Sequence, residues 1–126
     1  MKIPQSAITI GVLLVVVIVG YILLSSGPKG HYPNFAKCLS DNNAKMYGAF
    51  WCTHCNDQKA MFGDSWSLIN YVECSTPDGH GKLQICQDAN ISSYPTWEFQ
   101  DGTRYTGLLT LEELSARTGC AIDPQN

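Results

Sequence analysis

The hydrophobic and polar positions divide the chain into one long apolar segment and a following stretch of short alternating runs. Residues 7–24, AITIGVLLVVVIVGYILL, include no charged side chain. As a helix this segment is long enough to cross a hydrocarbon layer of about 30 Å, and all its backbone hydrogen bonds are internal. We therefore predict a single transmembrane anchor at 7–24, preceded by a short tail at 1–6. A cleaved signal peptide is the alternative, although the apolar run exceeds the usual core of about 7–15 residues and no Ala-x-Ala site follows it.

The polar stretch after the apolar segment predicts a linker at 25–33, because its sequence SSGPKG is rich in serine, glycine and proline. We expect the folded domain to cover 34–122 and a short tail to cover 123–126.

Within the domain, the hydrophobic spacing predicts helices alternating with strands. Asp101-Gly102 is a typical hairpin turn, and Thr110 with Glu113 forms a capping box. Two strands joined through a helix should run parallel with a right-handed crossover. We expect an α/β domain with a mixed central sheet flanked by helices. The predicted elements are helices at 34–42, 52–63, 83–90 and 110–119, and strands at 45–51, 68–73, 96–99 and 103–106.

Length, charge and cysteine content narrow the classes of function. The 126 residues leave room for one domain, and the net charge of −3 gives no basic footprint for nucleic acid. Six cysteines in so short a chain indicate an oxidising compartment. Lysines flank the apolar segment on both sides, so the distribution of positive charge does not indicate which side of the membrane the domain occupies. The cysteine content is the better guide to this orientation. We predict the amino terminus inside and the domain on the extracytoplasmic side, and the sequence indicates no bound cofactor.

The sequence Trp51-Cys52-Thr53-His54-Cys55 lies where a predicted strand passes into a predicted helix. At a helix amino terminus, unpaired N–H groups and the positive end of the helix dipole would stabilise a Cys52 thiolate, which is the nucleophile in disulfide exchange. Cys55 follows one turn later, where its thiol can resolve a mixed disulfide. We predict that Cys52 and Cys55 are the reactive pair.

The other residues of this motif have supporting roles. A protonated His54 would further stabilise the thiolate, whereas a solvated surface histidine would have little effect. Trp51 provides apolar cover beside the sulfurs. A Cys-x-x-Cys sequence can also be half of a zinc site, but no second such pair follows. We therefore predict no metal site.

The run YGAFWCTHC at 47–55, with Tyr94-Pro95-Thr96 about forty residues later, resembles the thioredoxin superfamily. This resemblance implies a thioredoxin-like fold in which Pro95 follows a cis peptide bond and faces the cysteine pair. It also implies that Tyr94 and Pro95 contact the backbone of a bound substrate. An ordinary trans proline at a strand start is the alternative.

A larger set of motifs extends this resemblance: FAKCL at 35–39, GAFWCTHC at 48–55, VEC at 72–74, Cys86, YPTW at 94–97, Asp101-Gly102 and Gly119-Cys120. Together they resemble the thioredoxin-like domain associated with bacterial and plant vitamin K epoxide reductase homologues. That domain exchanges disulfides with a quinone-linked membrane reductase, so the resemblance implies that such a reductase is a partner. Because the sequence includes one span in place of a multi-helix reductase half, we expect the partner to be a separate polypeptide.

Two departures from the family pattern bear on the direction of exchange. Thr53 occupies the position before the histidine where the family often has proline. Met46 occupies the position where reducing thioredoxins have a buried acid. We predict an oxidase or isomerase of protein thiols. A reductase of extracytoplasmic disulfides and a thioredoxin-fold copper chaperone are the alternatives.

The predicted topology pairs the remaining cysteines. Cys38 precedes the strand that leads to the motif, and Cys120 ends a helix that runs away from it, so both should lie at the pole opposite the chemistry. Cys74 ends the parallel strand and Cys86 lies in the segment leading to Pro95. We predict Cys38–Cys120 and Cys74–Cys86 disulfides. The second is either a structural crosslink or a redox relay to the reactive pair.

Overall fold

The computed structural model describes residues 1–2, 4–25 and 30–124. The predicted order of helices and strands is confirmed, with a short 3-10 helix added between the third helix and the second strand. The elements are α1 (Gln5–Ser25), α2 (Pro33–Asp41), β1 (Lys45–Gly48), α3 (Thr53–Phe62), the 3-10 helix (Asp64–Leu68), β2 (Asn70–Glu73), α4 (Gln84–Asp88), β3 (Thr96–Glu98), β4 (Arg104–Thr106) and α5 (Leu111–Thr118).

Helix α1 contains the long apolar segment. By length and composition its stretch Gln5–Leu23 could cross a membrane, and none of that stretch is buried in the protein. A signal sequence near the amino terminus meets the same criteria. The predicted linker follows, and its residues 26–29 lie outside the described part of the chain.

The sheet has four strands in the order β2-β1-β3-β4. β1 and β2 are parallel, as expected for two strands joined through α3, with Met46 opposite Tyr71. β1 pairs with β3 and β3 with β4 in antiparallel fashion. The predicted mixed sheet flanked by helices is confirmed, and the arrangement is that of a thioredoxin-like fold.

Two apolar clusters cover the sheet. Because side chains alternate along a strand, Met46 and Tyr47 of β1 face opposite sides. Met46 belongs to a large cluster with residues of α2, α3 and α5. Tyr47 belongs to a smaller cluster that includes Cys74 and Cys86. The sheet therefore separates the two groups of side chains.

All four strands are shorter than the sequence predicts, β3 and β4 by one residue each and β1 and β2 by more. β1 ends at Gly48 rather than at residue 51, because a turn closed by the Cys52 N–H and the Ala49 carbonyl (3.0 Å) lifts the chain out of the sheet. β2 begins at Asn70 rather than at residue 68, because Leu68 still belongs to the 3-10 helix, which is closed by Ile69 N–H on the Trp66 carbonyl.

Residues on both sides of the predicted domain contact it. His31 forms an isolated antiparallel bridge with Gly63, and the Tyr32 N–H donates to Ser65 Oγ at 2.7 Å. At the other end, the Asp123 carboxylate accepts from the Phe35 N–H at 3.0 Å in the first turn of α2. These contacts fix the start of the domain against the end of α3 and against its own carboxyl-terminal segment.

Candidate active site

The Cys52 sulfur caps the amino terminus of α3. It accepts a hydrogen bond from the Cys55 backbone N–H at 3.2 Å, and both residues are free thiols. Cys52 is 8% exposed and Cys55 is fully buried. The predicted strand-to-helix junction is therefore present, with Cys52 slightly accessible and Cys55 inaccessible to solvent.

The buried position of Cys55 controls its protonation. Burial raises the pKa of the Cys55 thiol well above its usual value, and its hydrogen bond with Cys52 raises it further. A backbone hydrogen bond with Ala49 and the charge of Lys59 partly oppose this rise. Cys55 is therefore a neutral thiol near pH 7, and it must lose a proton before it can act as a nucleophile.

Aromatic side chains lie next to Cys52, which is slightly accessible to solvent. Trp51 is 54% exposed, and its indole N–H donates to Ser75 Oγ at 2.9 Å. The Trp51 ring also meets the Tyr94 ring edge-on, with 6.0 Å between centroids. Phe50 is exposed beside it. These side chains form an apolar rim beside Cys52. Trp51 is fixed in this rim by its contacts with Ser75 and Tyr94.

The Tyr94–Pro95 peptide bond is cis, in agreement with the expectation from the resemblance. Pro95 is fully buried, and β3 begins at the next residue, Thr96. Burial raises the pKa of Tyr94, and the negative charges of Glu73 and Cys55 raise it further. Tyr94 therefore lies within electrostatic reach of Glu73 and Cys55.

The two residues between the cysteines point to solvent. Thr53 and His54 are both exposed in the first turn of α3. His54 Nδ1 lies 3.8 Å from Asp57 Oδ2 on the same helix. A protonated His54 therefore has a carboxylate partner besides any Cys52 thiolate.

The remaining four cysteines form two disulfides, with the pairing predicted from the topology. Cys38–Cys120 joins residues 82 apart in sequence, and the Asn42 amide lies 3.4 Å and 3.5 Å from its two sulfurs. Cys74–Cys86 joins residues 12 apart, and both are fully buried. Cys74 and Cys86 lie in the smaller cluster, across the sheet from Cys55.

Two residues near the pair, Tyr71 and Glu73, are not among the predicted site residues, although Glu73 lies in the motif VEC at 72–74. Tyr71 Oη donates to Glu73 Oε2 at 2.7 Å, and Glu73 Oε1 accepts from the backbone N–H groups of Phe50 at 3.2 Å and Ser75 at 2.9 Å. Period-two alternation along β2 places Tyr71 and Glu73 on one face. That signal could have found them once β2 was known to neighbour β1.

No group of three or more histidine, cysteine, aspartate or glutamate side chains in the described ranges 1–2, 4–25 and 30–124 could hold a metal ion. The site is therefore built from a pair of sulfurs, an aromatic rim and a prolyl loop.

A comparison with curated proteins finds a thiol-disulfide oxidoreductase, LTO1 of Arabidopsis thaliana, which is 44% identical to this chain over 108 residues. The match covers 82% of this chain and 28% of that protein. No family model matches the chain. The fold and this similarity support placing the chain in the thioredoxin-like superfamily of redox proteins.

Proposed function

We propose that this chain is a membrane-anchored, extracytoplasmic thiol–disulfide oxidoreductase acting on protein thiols. The observation that carries the proposal is the position of Cys52 at the amino terminus of α3, with the Cys55 N–H bonded to its sulfur. Because the chain spans 28% of the oxidoreductase it resembles, the activity of that protein is an analogy for this one.

In the proposed reaction, the two sulfurs act in sequence. The Cys52 thiolate attacks one sulfur of a partner disulfide, and the partner's other sulfur leaves as a thiolate. Cys55 then attacks Cys52, which releases the second partner thiolate and forms the Cys52–Cys55 disulfide. Oxidation of a partner is the reverse sequence. The burial of Cys55 supports this division of roles, since a partner reaches only the surface sulfur.

Trapping the mixed disulfide tests the two roles. A Cys55→Ser variant should accumulate covalent adducts with partner proteins through Cys52, because the resolving thiol is gone. The matched Cys52→Ser variant should form none. Equal adduct formation by both variants would contradict the assignment of Cys52 as the exchanging sulfur.

We further propose the oxidase or isomerase direction. Met46, fully buried in β1, supports it by leaving that strand position without the acid that reducing thioredoxins have there. The equilibrium potential of the pair against glutathione discriminates between directions. A value near about −120 mV supports oxidation, and one near about −270 mV indicates the reductase alternative. The copper-chaperone alternative has less support, because Cys55 is fully buried and only Cys52 reaches the surface.

We also propose that α1 is retained as the anchor and that a quinone-linked, vitamin K epoxide reductase-like membrane protein is a separate partner. The apolar length of α1 and the two disulfides support this placement. After reduction of the pair, a membrane-impermeant maleimide should label Cys52 in intact cells, and full-length chain should remain in the membrane fraction. Among the adducts of the Cys55→Ser variant, a multi-span quinone-binding protein is the expected membrane partner. Its absence there would contradict that partnership.

A further inference from the structure

Proton transfer at Cys55 requires an acceptor that the cysteine motif itself does not provide. Cys55 is fully buried, and Met46, which packs in the same cluster, has no titratable group. His54 is exposed on the outer side of α3, beside Asp57. An acceptor for the Cys55 proton must therefore come from another element.

Tyr71 of β2 reaches the buried side of this thiol across Gly48. A methyl group placed at Gly48 would lie 3.0 Å from Cys55 Sγ, 3.0 Å from Tyr71 Cε2 and 3.3 Å from Tyr71 Oη. The sulfur and the phenol thus border the same small space, which exists because residue 48 has no side chain. Cys55 Sγ and Tyr71 Oη are therefore at most about 6 Å apart, and proton transfer between them requires the two side chains to approach each other within that space.

Glu73 links Tyr71 to the protein surface. Its Oε2 accepts the Tyr71 hydroxyl at 2.7 Å, and its Oε1 is held by two backbone N–H groups. Glu73 is half-buried, so its carboxylate can exchange protons with solvent. Burial raises the pKa of Tyr71, and the bond to Glu73 raises it further, so the phenol stays protonated and can relay a proton without becoming charged.

Resting on the function proposed above, we propose that Tyr71 and Glu73 form the proton path of the resolving thiol. As Cys55 becomes a nucleophile, its S–H proton passes to Tyr71 Oη while the phenolic proton passes to Glu73 Oε2. The Cys55 thiolate then attacks the Cys52 sulfur, and the bond from Cys52 to the partner sulfur breaks. The two cysteines lose two electrons, the partner disulfide gains two, and the partner leaves as a thiolate.

Other charges near Cys55 modulate this path. Lys59 Nζ lies 4.0 Å from the centre of the Tyr71 ring, where it favours negative charge on the Cys55 side. Among the described residues, the titratable or charged groups that act on Cys55 are Cys52 at the cap of α3, Lys59 of α3, Tyr71 of β2 and Tyr94 of the prolyl loop, and Glu73 acts in turn on Tyr71 and Tyr94.

A two-step reaction of the reduced, detergent-solubilised full chain with the aromatic disulfide 5,5′-dithiobis(2-nitrobenzoate) tests the path. The chain is first reduced until it has two thiols. Attack by Cys52 releases one coloured thiolate, and attack by Cys55 on the resulting mixed disulfide releases the second. For Tyr71→Phe we expect the second step to slow by about 100-fold at pH 7 while the first step is unchanged. The deficit should shrink as pH rises, because hydroxide then deprotonates Cys55 directly.

Glu73→Gln should slow the second step in the same pH-dependent way. If Tyr71→Phe fails to fold, Glu73→Gln tests the proton path in its place. The matched controls are Tyr105→Phe on β4 and Glu112→Gln on α5, which should leave both steps unchanged. A second step as fast as in the wild type at every pH, in a folded Tyr71→Phe or Glu73→Gln chain, would overturn the path. Failure of the first step in the wild-type chain would instead overturn the role of Cys52 and with it the proposed function.

Discussion

Gln58 of α3 and Leu109, which precedes α5, are joined by a pair of buried hydrogen bonds. Gln58 Nε2 donates to the Leu109 carbonyl and Gln58 Oε1 accepts from the Leu109 N–H, both at 2.9 Å. Gln58 Oε1 also accepts the indole N–H of Trp97 at 3.2 Å. A fully buried amide thus ties the helix of the reactive pair to β3 and to the segment that leads into the last helix.

We expect Gln58→Leu to destabilise the domain by about 2–5 kcal/mol. The substitution keeps the volume but leaves the Leu109 N–H and carbonyl and the Trp97 N–H buried without partners, and each such group costs about 1–3 kcal/mol before relaxation. Urea denaturation with both disulfides intact measures the change. Gln100→Leu, at an exposed turn, is the matched control and should change the free energy of unfolding by less than about 0.5 kcal/mol. A Gln58→Leu chain as stable as that control would contradict the prediction.

Replacing Cys38 and Cys120 together with alanine should lower the free energy of unfolding by about 2–4 kcal/mol. The disulfide joins residues 82 apart in sequence and so restricts the unfolded chain. Without it, the unfolded chain gains conformational entropy and unfolding becomes more favourable. Because this bond lies at the pole away from the reactive pair, the rate of Cys52 alkylation in the folded variant should match that of the wild type. A changed alkylation rate at unchanged stability would contradict the prediction, because the bond would then act on the reactive pair and not on the stability of the domain.

The Cys74–Cys86 double alanine variant distinguishes the structural crosslink from the redox relay. Its position across the sheet from Cys55 favours the crosslink. We therefore expect lower thermal stability, and unchanged turnover of a dithiol substrate at a temperature where the variant is folded. Lost turnover in a folded variant whose Cys52 still reacts with iodoacetamide would establish the relay.

Glu98 should make the domain sensitive to acid. Burial alone would raise the pKa of Glu98, but the hydrogen bonds and charges of Arg104 and Lys45 outweigh it and hold that pKa below its usual value. A depressed pKa means that the stabilisation is present above the pKa of the unfolded chain, about 4.5, and is lost as pH falls through the lower folded value.

We accordingly expect Glu98→Gln to cost about 1–3 kcal/mol at pH 7, where the carboxylate is bonded to Arg104 Nε at 2.7 Å. The difference between variant and wild type should diminish below about pH 4.5. Urea denaturation across pH 3–7 measures it, with the exposed Glu112→Gln as control. A difference that stays constant over this range would show that Glu98 contributes packing rather than charge.

The sequence by itself determined the order of elements and the reactive motif, because both depend on local physics. Thr110 and Glu113 cap α5 with reciprocal hydrogen bonds, which follow from residue type and spacing alone. The Cys52–Cys55 spacing likewise places one sulfur at a helix start whatever surrounds it. Both disulfide pairings could also be predicted, because the directions of the strands determine at which end of the sheet each cysteine lies.

Only the tertiary structure decided what surrounds the buried thiol. Tyr71 and Cys55 border the same space because β2 lies beside β1 in this register and because Gly48 leaves that space open. Gln58 finds Leu109 51 residues later, through a contact that no local pattern encodes. Such contacts depend on where each strand begins and ends. The end of β1 is set by the Ala49–Cys52 turn and the start of β2 by the 3-10 helix, and hydrophobic spacing predicts neither. Hydrophobic alternation determines which face a side chain occupies, whereas packing between distant segments determines which polar atoms it meets there.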